Sequence, residues 1–251
     1  MGKLLKFEFR KLFKSKAFYI CAVIPIVLVI FSGISASQFY IDPETGKCIY
    51  ELGEFLRYTF NSNMIVMISG IFTAIFLCED DVSGTIKNIY AKGYSRENVF
   101  FAKYIVSLVA LLIMLLSELL VAFLYGASHF EMTSSNDLFV RLLGQIVVLI
   151  SYHALFTAIS MWLKKTGGAV ALNILGPSLV GLILGTVDII LKLKDKLNGF
   201  LFSNYWISTF FADFVSATLT TKVMVTAFVG SCIYIAIGIV LGLFASKKNE
   251  L

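Results

Sequence analysis

The sequence predicts an all-α membrane protein with six transmembrane helices. An N-terminal amphipathic helix lies in the interface before span one, and a short cytoplasmic helix joins spans two and three. Three observations lead there. Of the 251 residues, 58% are hydrophobic and 15% charged, with a mean hydropathy of +0.86, whereas a soluble domain carries about 25% charged residues. A globule of this length could not hide so much apolar surface, so its solvent is lipid. Six windows each hold the ~20 apolar residues that a bilayer-spanning helix needs. The basic residues sort by side. This composition excludes disorder, a disulfide scaffold and an ordinary soluble enzyme.

The first element is residues 3–14. Leu4, Leu5, Phe9, Leu12 and Phe13 fall on one face at helical spacing, and Lys3, Lys6, Arg10 and Lys14 on the other. Such a helix lies among headgroups and is drawn to anionic lipid. A basic start before an apolar run also suits a signal peptide, but the run is long enough to span the bilayer and is read as retained. The spans follow at 17–37, 60–78, 99–124, 140–163, 168–190 and 223–245. They are helices because open strands leave backbone groups unsatisfied in lipid. Pro25 is expected to bend span one, and Gly176-Pro177 span five.

Residues 198–221 are aromatic (Phe200, Phe202, Tyr205, Trp206, Phe210, Phe211, Phe214) but broken by Asn198, Asn204 and Asp213. A seventh span there would put Lys247 and Lys248 outside, so the segment is read as extracellular, interfacial or re-entrant. With six spans and both termini inside, the inner segments hold fourteen of the 21 basic residues. Lys and Arg accumulate on the cytoplasmic side, which places both termini there. Residues 1–251 form a single transmembrane domain with no internal repeat. The cysteines Cys21, Cys48, Cys78 and Cys232 make no motif; Cys48 faces outside without an evident partner, and no disulfide framework is expected.

The loop between spans two and three carries the densest signal. Glu79, Asp80 and Asp81 end span two, and Gly84 allows a tight turn. Ile86, Ile89 and Tyr90 then line one face of a short helix over 85–91, beside Lys87 and Asn88. Gly93 suits its C′ position, and Ser95 the N-cap of the next helix. One helical turn in water is marginal, so the exposed Ile and Tyr are expected to meet a protein partner.

Polar residues inside spans are functional candidates. Glu118 in span three either pairs with Arg141, faces a translocation path, or does neither. His153 in span four is a hydrogen-bonded structural residue, or a proton relay or substrate contact. Asn173 in span five is placed to bond across a helix interface. Lys103 and Asp188, near span ends, are read as snorkelling. Gly181 and Gly185 form GxxxG in span five, which suits either a dimer interface or packing within the chain; Gly238 and Gly242 repeat the spacing in span six.

No GxxxxGK[ST], HExxH or GxSxG occurs, and His129 and His153 lack ligand-spaced partners. The chain therefore carries no catalytic centre, metal site or bound cofactor of its own, and nothing in it points to nucleic acid. A transport reading competes with an ion-coupled secondary transporter or channel, an intramembrane enzyme, and a membrane-anchored assembly or sensor subunit. One clear mid-span acid and the lack of a repeat argue against the secondary transporter.

Several stretches carry a family resemblance. An acid ending span two, then Gly84-Thr85-Ile86-Lys87-Asn88, then Ser95-Arg96 and Lys103 entering span three, resemble the permease subunits of type-2 ATP-binding cassette exporters. The opening KFEFRKLFKSKAFYI is similar to the basic interfacial helix of that family. The resemblance implies that Glu79, Gly84, Thr85, Ile86, Lys87, Asn88, Ile89 and Tyr90 form a coupling helix seated in a groove of a separate ATPase. It also implies that Arg96 and Lys103 close the loop onto the membrane, and that Phe9, Arg10 and Leu12 belong to a connecting helix. Asp80 and Asp81, a longer acidic run than the family pattern, would pair with basic residues of the ATPase. The resemblance further implies two ATPase subunits carrying Mg-ATP, a second permease of the same or a related kind, and a cell-membrane location. Size and style resemble permeases for export of, or immunity to, lantibiotics and other antimicrobial peptides in Gram-positive bacteria.

Overall fold

Each apolar window folds as a helix, since only a helix satisfies every backbone group within its own segment. The computed structural model describes residues 1–39, 41, 51–61, 63–131, 137–193, 201–216 and 219–248. The helices are α1 (Gly2–Lys14), α2 (Lys16–Phe39), α3 (Leu52–Asn61), α4 (Asn63–Val82), α5 (Thr85–Ala91), α6 (Arg96–His129), α7 (Leu138–Leu163), α8 (Thr166–Leu193), α9 (Ile207–Val215) and α10 (Thr221–Lys248). A single 3-10 turn, Phe202–Tyr205, precedes α9. Among the described residues, six segments are long and apolar enough to cross a membrane: α2, α3 with α4, α6, α7, α8 and α10.

The boundaries depart from the sequence windows where a helix continues past the hydrocarbon. At ~1.5 Å per residue, the 34 residues of α6 reach ~50 Å, well beyond a ~30 Å core. The expected outer loop before span two instead contains α3. Leu52, Phe55, Leu56 and Thr59 share one buried face of it, packed with Ala122 and Phe130. Cys48 and residues 198–200 lie outside the described residues.

Two apolar clusters make the core. One joins α4, α6, α7, α9 and α10 around Ile65, Leu115, Val148, Tyr152, Phe156, Ile207 and Phe210. The other joins α1, α2, α4, α6 and α7 around Leu12, Phe18, Phe72, Phe76, Phe100 and Met114. The aromatic segment enters the bundle and adds no seventh span. Ile207, Phe210, Phe211 and Phe214 are buried against α7 and α10, and the Trp206 indole N–H donates to the Pro177 carbonyl inside α8 at 3.0 Å.

One end of the bundle gathers α1, α5 and the C-terminal end of α10. Arg96 donates to the Lys247 carbonyl at 2.9 Å, and Lys247 pairs with Glu97 at 2.6 Å. Lys11 of α1 reaches Asp80 at the end of α4 at 2.9 Å. Gly84 and Gly93, with φ of 72° and 82°, supply the left-handed turns on either side of α5. The Ser95 hydroxyl accepts from the Asn98 amide and caps α6.

Candidate functional site

The short helix α5 is held from inside the chain. Ile86 and Ile89 are buried against Leu4 of α1 and Val99 and Ala102 of α6, with Tyr90 half-buried beside them. This corrects the expectation that Ile86 and Ile89 await a partner. Burying such side chains is worth about 1.5–3 kcal/mol each, which offsets the marginal stability of a seven-residue helix. The surface left open is the opposite edge: Lys87, Asn88, Ala91, Lys92 and Gly93, with Val82 and Ser83 before them. The Arg96 guanidinium lies 5.8 Å from the centre of the Tyr90 ring and ties α5 to α6. Burial pushes the Tyr90 phenol above its usual range, with Lys103 opposing.

Beneath α5 lies a charge cluster. The Lys103 ammonium is fully buried, 2.7 Å from Asp80 Oδ2, and donates to the Leu77 carbonyl at 3.1 Å. It does not snorkel. Lys11 bonds the other Asp80 oxygen, lies 3.4 Å from Glu79, donates to the Phe76 carbonyl and covers the Phe76 ring. Asp80 is thus neutralised within the chain, which corrects its assignment to an ATPase. Such a buried pair costs desolvation that only good geometry and added hydrogen bonds offset.

The sequence reading passed over Glu8. It is fully buried between Leu4 and Leu12, one turn from each, and its carboxyl oxygens have no hydrogen-bond partner among the described residues. Burial pushes its pKa up, opposed by Lys103. The signal was available, since positions 4, 8 and 12 lie on one helix face. Of the connecting-helix residues, Leu12 is buried, Phe9 packs partly against the core and Arg10 is exposed.

Deeper in the bundle, His153 joins three helices. The Ser107 hydroxyl lies 3.1 Å from its Nε2, and the Thr73 hydroxyl 3.3 Å from its Nδ1. Ser107 donates its own hydrogen to the Lys103 carbonyl at 2.8 Å. Its oxygen then accepts from Nε2–H, and Nδ1 accepts from Thr73. Asn173 Nδ2 donates to the Gly70 carbonyl at 3.0 Å and to Ser160 Oγ at 3.3 Å, linking α8 to α4 and α7. Asn173 also lines a cavity of about 450 Å³ with Tyr152, Ser178 and Trp206.

Glu118 and Arg141 part company. Arg141 donates to the carbonyls of Phe214 and Ser216 and so holds the end of α9. Glu118 is 2% exposed and lines a separate cavity of about 200 Å³. Asp188 is not a snorkelling residue either. Its two oxygens accept from the Phe202 and Ser203 amides, each at 2.8 Å, and anchor the aromatic segment to α8.

The two glycines of span five differ. A methyl group at Gly181 would meet the Trp206 ring at 3.3 Å, so this glycine packs within the chain, while Gly185 faces open space. In span six the close approach is internal. A methyl group at Gly238 would lie 2.6 Å from the Ala154 backbone, and one at Gly242 2.5 Å from the Phe100 ring. Among the described residues, no group of three His, Cys, Asp or Glu side chains is placed to hold a metal ion.

No curated protein matches the chain. The family model described as ABC-2 family transporter protein matches residues 4–177. That stretch covers more than half of the chain and takes in α1, the Lys11–Asp80–Lys103 cluster and α5. The chain therefore belongs to the ABC-2 transporter family, whose members are membrane subunits of ATP-binding cassette transporters.

Proposed function

We propose that this chain is the permease subunit of an ATP-driven exporter, moved by a separate ATPase that docks where α1 and α5 meet. The observation that carries the reading is α5 itself. Its apolar face is spent on α1 and α6, and its polar edge is presented at the end of the bundle. A force applied to Lys87, Asn88 or Ala91 passes through Ile86 and Ile89 into Val99 and Ala102 of α6. It passes through Leu4 into α1, and on through the Lys11–Asp80–Lys103 cluster into α4. Glu79, Gly84, Thr85 and Tyr90 shape the same loop.

The chain contains no phosphate-binding loop, so Mg-ATP is bound by the ATPase, two copies per complex. A second permease, identical or related, completes the path. Both termini lie in the cytoplasm of what is read as a Gram-positive cell. The cargo is amphipathic: an antimicrobial peptide such as a lantibiotic, or a drug. ATP binding closes the two ATPases together, and rigid spans switch between inward and outward access.

The test is a gentle-detergent pull-down from native membranes with every co-purifying protein identified. An ATPase bearing a phosphate-binding loop, about one per permease, is expected. Lys87→Glu with Asn88→Asp should lower its recovery at least tenfold while insertion and melting temperature stay unchanged. A chain that purifies alone across several mild detergents overturns the reading in favour of a secondary transporter or channel.

A further inference from the structure

We infer that the Glu118 cavity is a binding site for the ammonium group of an amphipathic cation. The cavity lies between α2, α3, α4 and α6, in the part of the bundle remote from α5. Its wall is hydrocarbon from Pro25, Leu28, Val29, Met64 and Ile65, with hydroxyls from Ser32, Tyr58 and Thr59. Glu118 is the one acidic side chain on the wall, and among the described residues no Lys or Arg lines the space. Glu118 Oε2 is buried without a hydrogen-bond partner, and the side chain forms no ion pair among the described residues. Ionising a carboxyl group buried in this way carries a large desolvation cost, which a fitted cation would offset.

The lining selects the ligand. The Thr59 hydroxyl hydrogen is already given to the Phe55 carbonyl at 2.8 Å. The unpartnered acceptor is Glu118 Oε2, so the site calls for a donor. An ammonium has three N–H donors and one charge; a phosphate or carboxylate has neither donors nor the right sign. A hard metal ion takes six or more oxygen ligands, and this wall is mostly carbon. A volume of about 200 Å³ holds an amine head with a few methylenes, and falls below the ~300 Å³ of drug-sized pockets. The tail leaves past Leu28, Tyr58 and Met64, which are exposed at the mouth of the cavity. The bound pair of ammonium and carboxylate has no net charge, whichever partner brings the proton.

That the bound amine is cargo rests on the permease reading; the site itself does not. The test uses the full chain in phosphatidylcholine nanodiscs, with radiolabelled dodecylammonium as probe and empty nanodiscs subtracted. Saturable binding of one dodecylammonium per chain is expected, with no competition from dodecanol or dodecyl sulfate. Glu118→Gln should weaken binding at least tenfold, and Glu118→Asp should stay within about threefold. Ser32→Phe, at an exposed position lining the cavity, should also block binding with the carboxyl group intact. Unsaturable partitioning, equal competition by dodecanol, or full binding by Glu118→Gln or Ser32→Phe overturns the site. A chain that binds the amine but captures no ATPase keeps the site and loses the permease reading. A chain that captures the ATPase but binds no amine does the reverse.

Discussion

Glu8 places a carboxyl group in an apolar stripe, and that group makes the seating of α1 depend on pH. Burial raises its pKa above the usual 4.5, so the folded chain binds this proton more tightly than the unfolded chain does. The linked stability is complete below the ordinary carboxyl range and falls as pH rises through the raised value. The melting temperature in detergent should therefore decline above about pH 4.5, and Glu8→Gln should flatten the decline and raise the melting temperature at neutral pH. A profile unchanged by the substitution would mean that folding does not raise the pKa of Glu8. Lys103 poses the opposite case. Lys103→Met leaves Asp80 with only Lys11 and should cost about 3 kcal/mol of unfolding free energy. Adding Asp80→Asn should recover part of that loss. Both variants are read by thermal or denaturant unfolding in the same detergent.

At the scale of elements, the contact of α10 with α7 is set by how closely two backbones approach. Gly238 lies against the Ala154 main chain, which cannot rotate aside as a side chain can. Gly238→Ala should force the helices apart and cost about 1–3 kcal/mol, lowering the melting temperature. Gly168→Ala, with only a distant Leu163 methyl nearby, should leave it unchanged. The GxxxG spacing appeared in both spans five and six, and pattern alone could not rank them. The ranking came from which glycine finds another helix beside it. The helix α3 was missed: Leu52, Phe55 and Leu56 have helical spacing, but they fell in the outer loop between the first two apolar windows.

At the scale of the molecule, exposure is uneven. Only 6% of the most apolar stretch of α8 is buried, against 61% in α7. Leu175, Leu179, Leu182 and Ile183 face outward from α8 together with the open Gly185. On the proposed permease reading that surface is where a second permease would pack, since small residues favour close helix approach. Gly185→Leu should leave the melting temperature of the isolated chain within about 1 °C and weaken self-association at least fivefold, read by single-molecule or crosslinking counts in nanodiscs. Unchanged association would rule out α8 as the contact and leave α2 and α10, the other exposed spans, to be tested in the same way.

The sequence by itself determined the spans, the amphipathic pattern of α1, the left-handed turns at Gly84 and Gly93 and the Ser95 cap. Each depends on transfer of a local segment from water, or on the dihedral preferences of a few neighbouring residues. Only the tertiary structure decided which face of α5 stays open, where residues 201–216 enter the bundle, and that Glu118 faces a cavity while Arg141 holds α9. Lys11 meets Asp80 and His153 meets Thr73 across long separations in sequence. Such pairings follow from how helices pack, and neither the hydrophobic period of a segment nor its charge encodes which distant helix will lie against it.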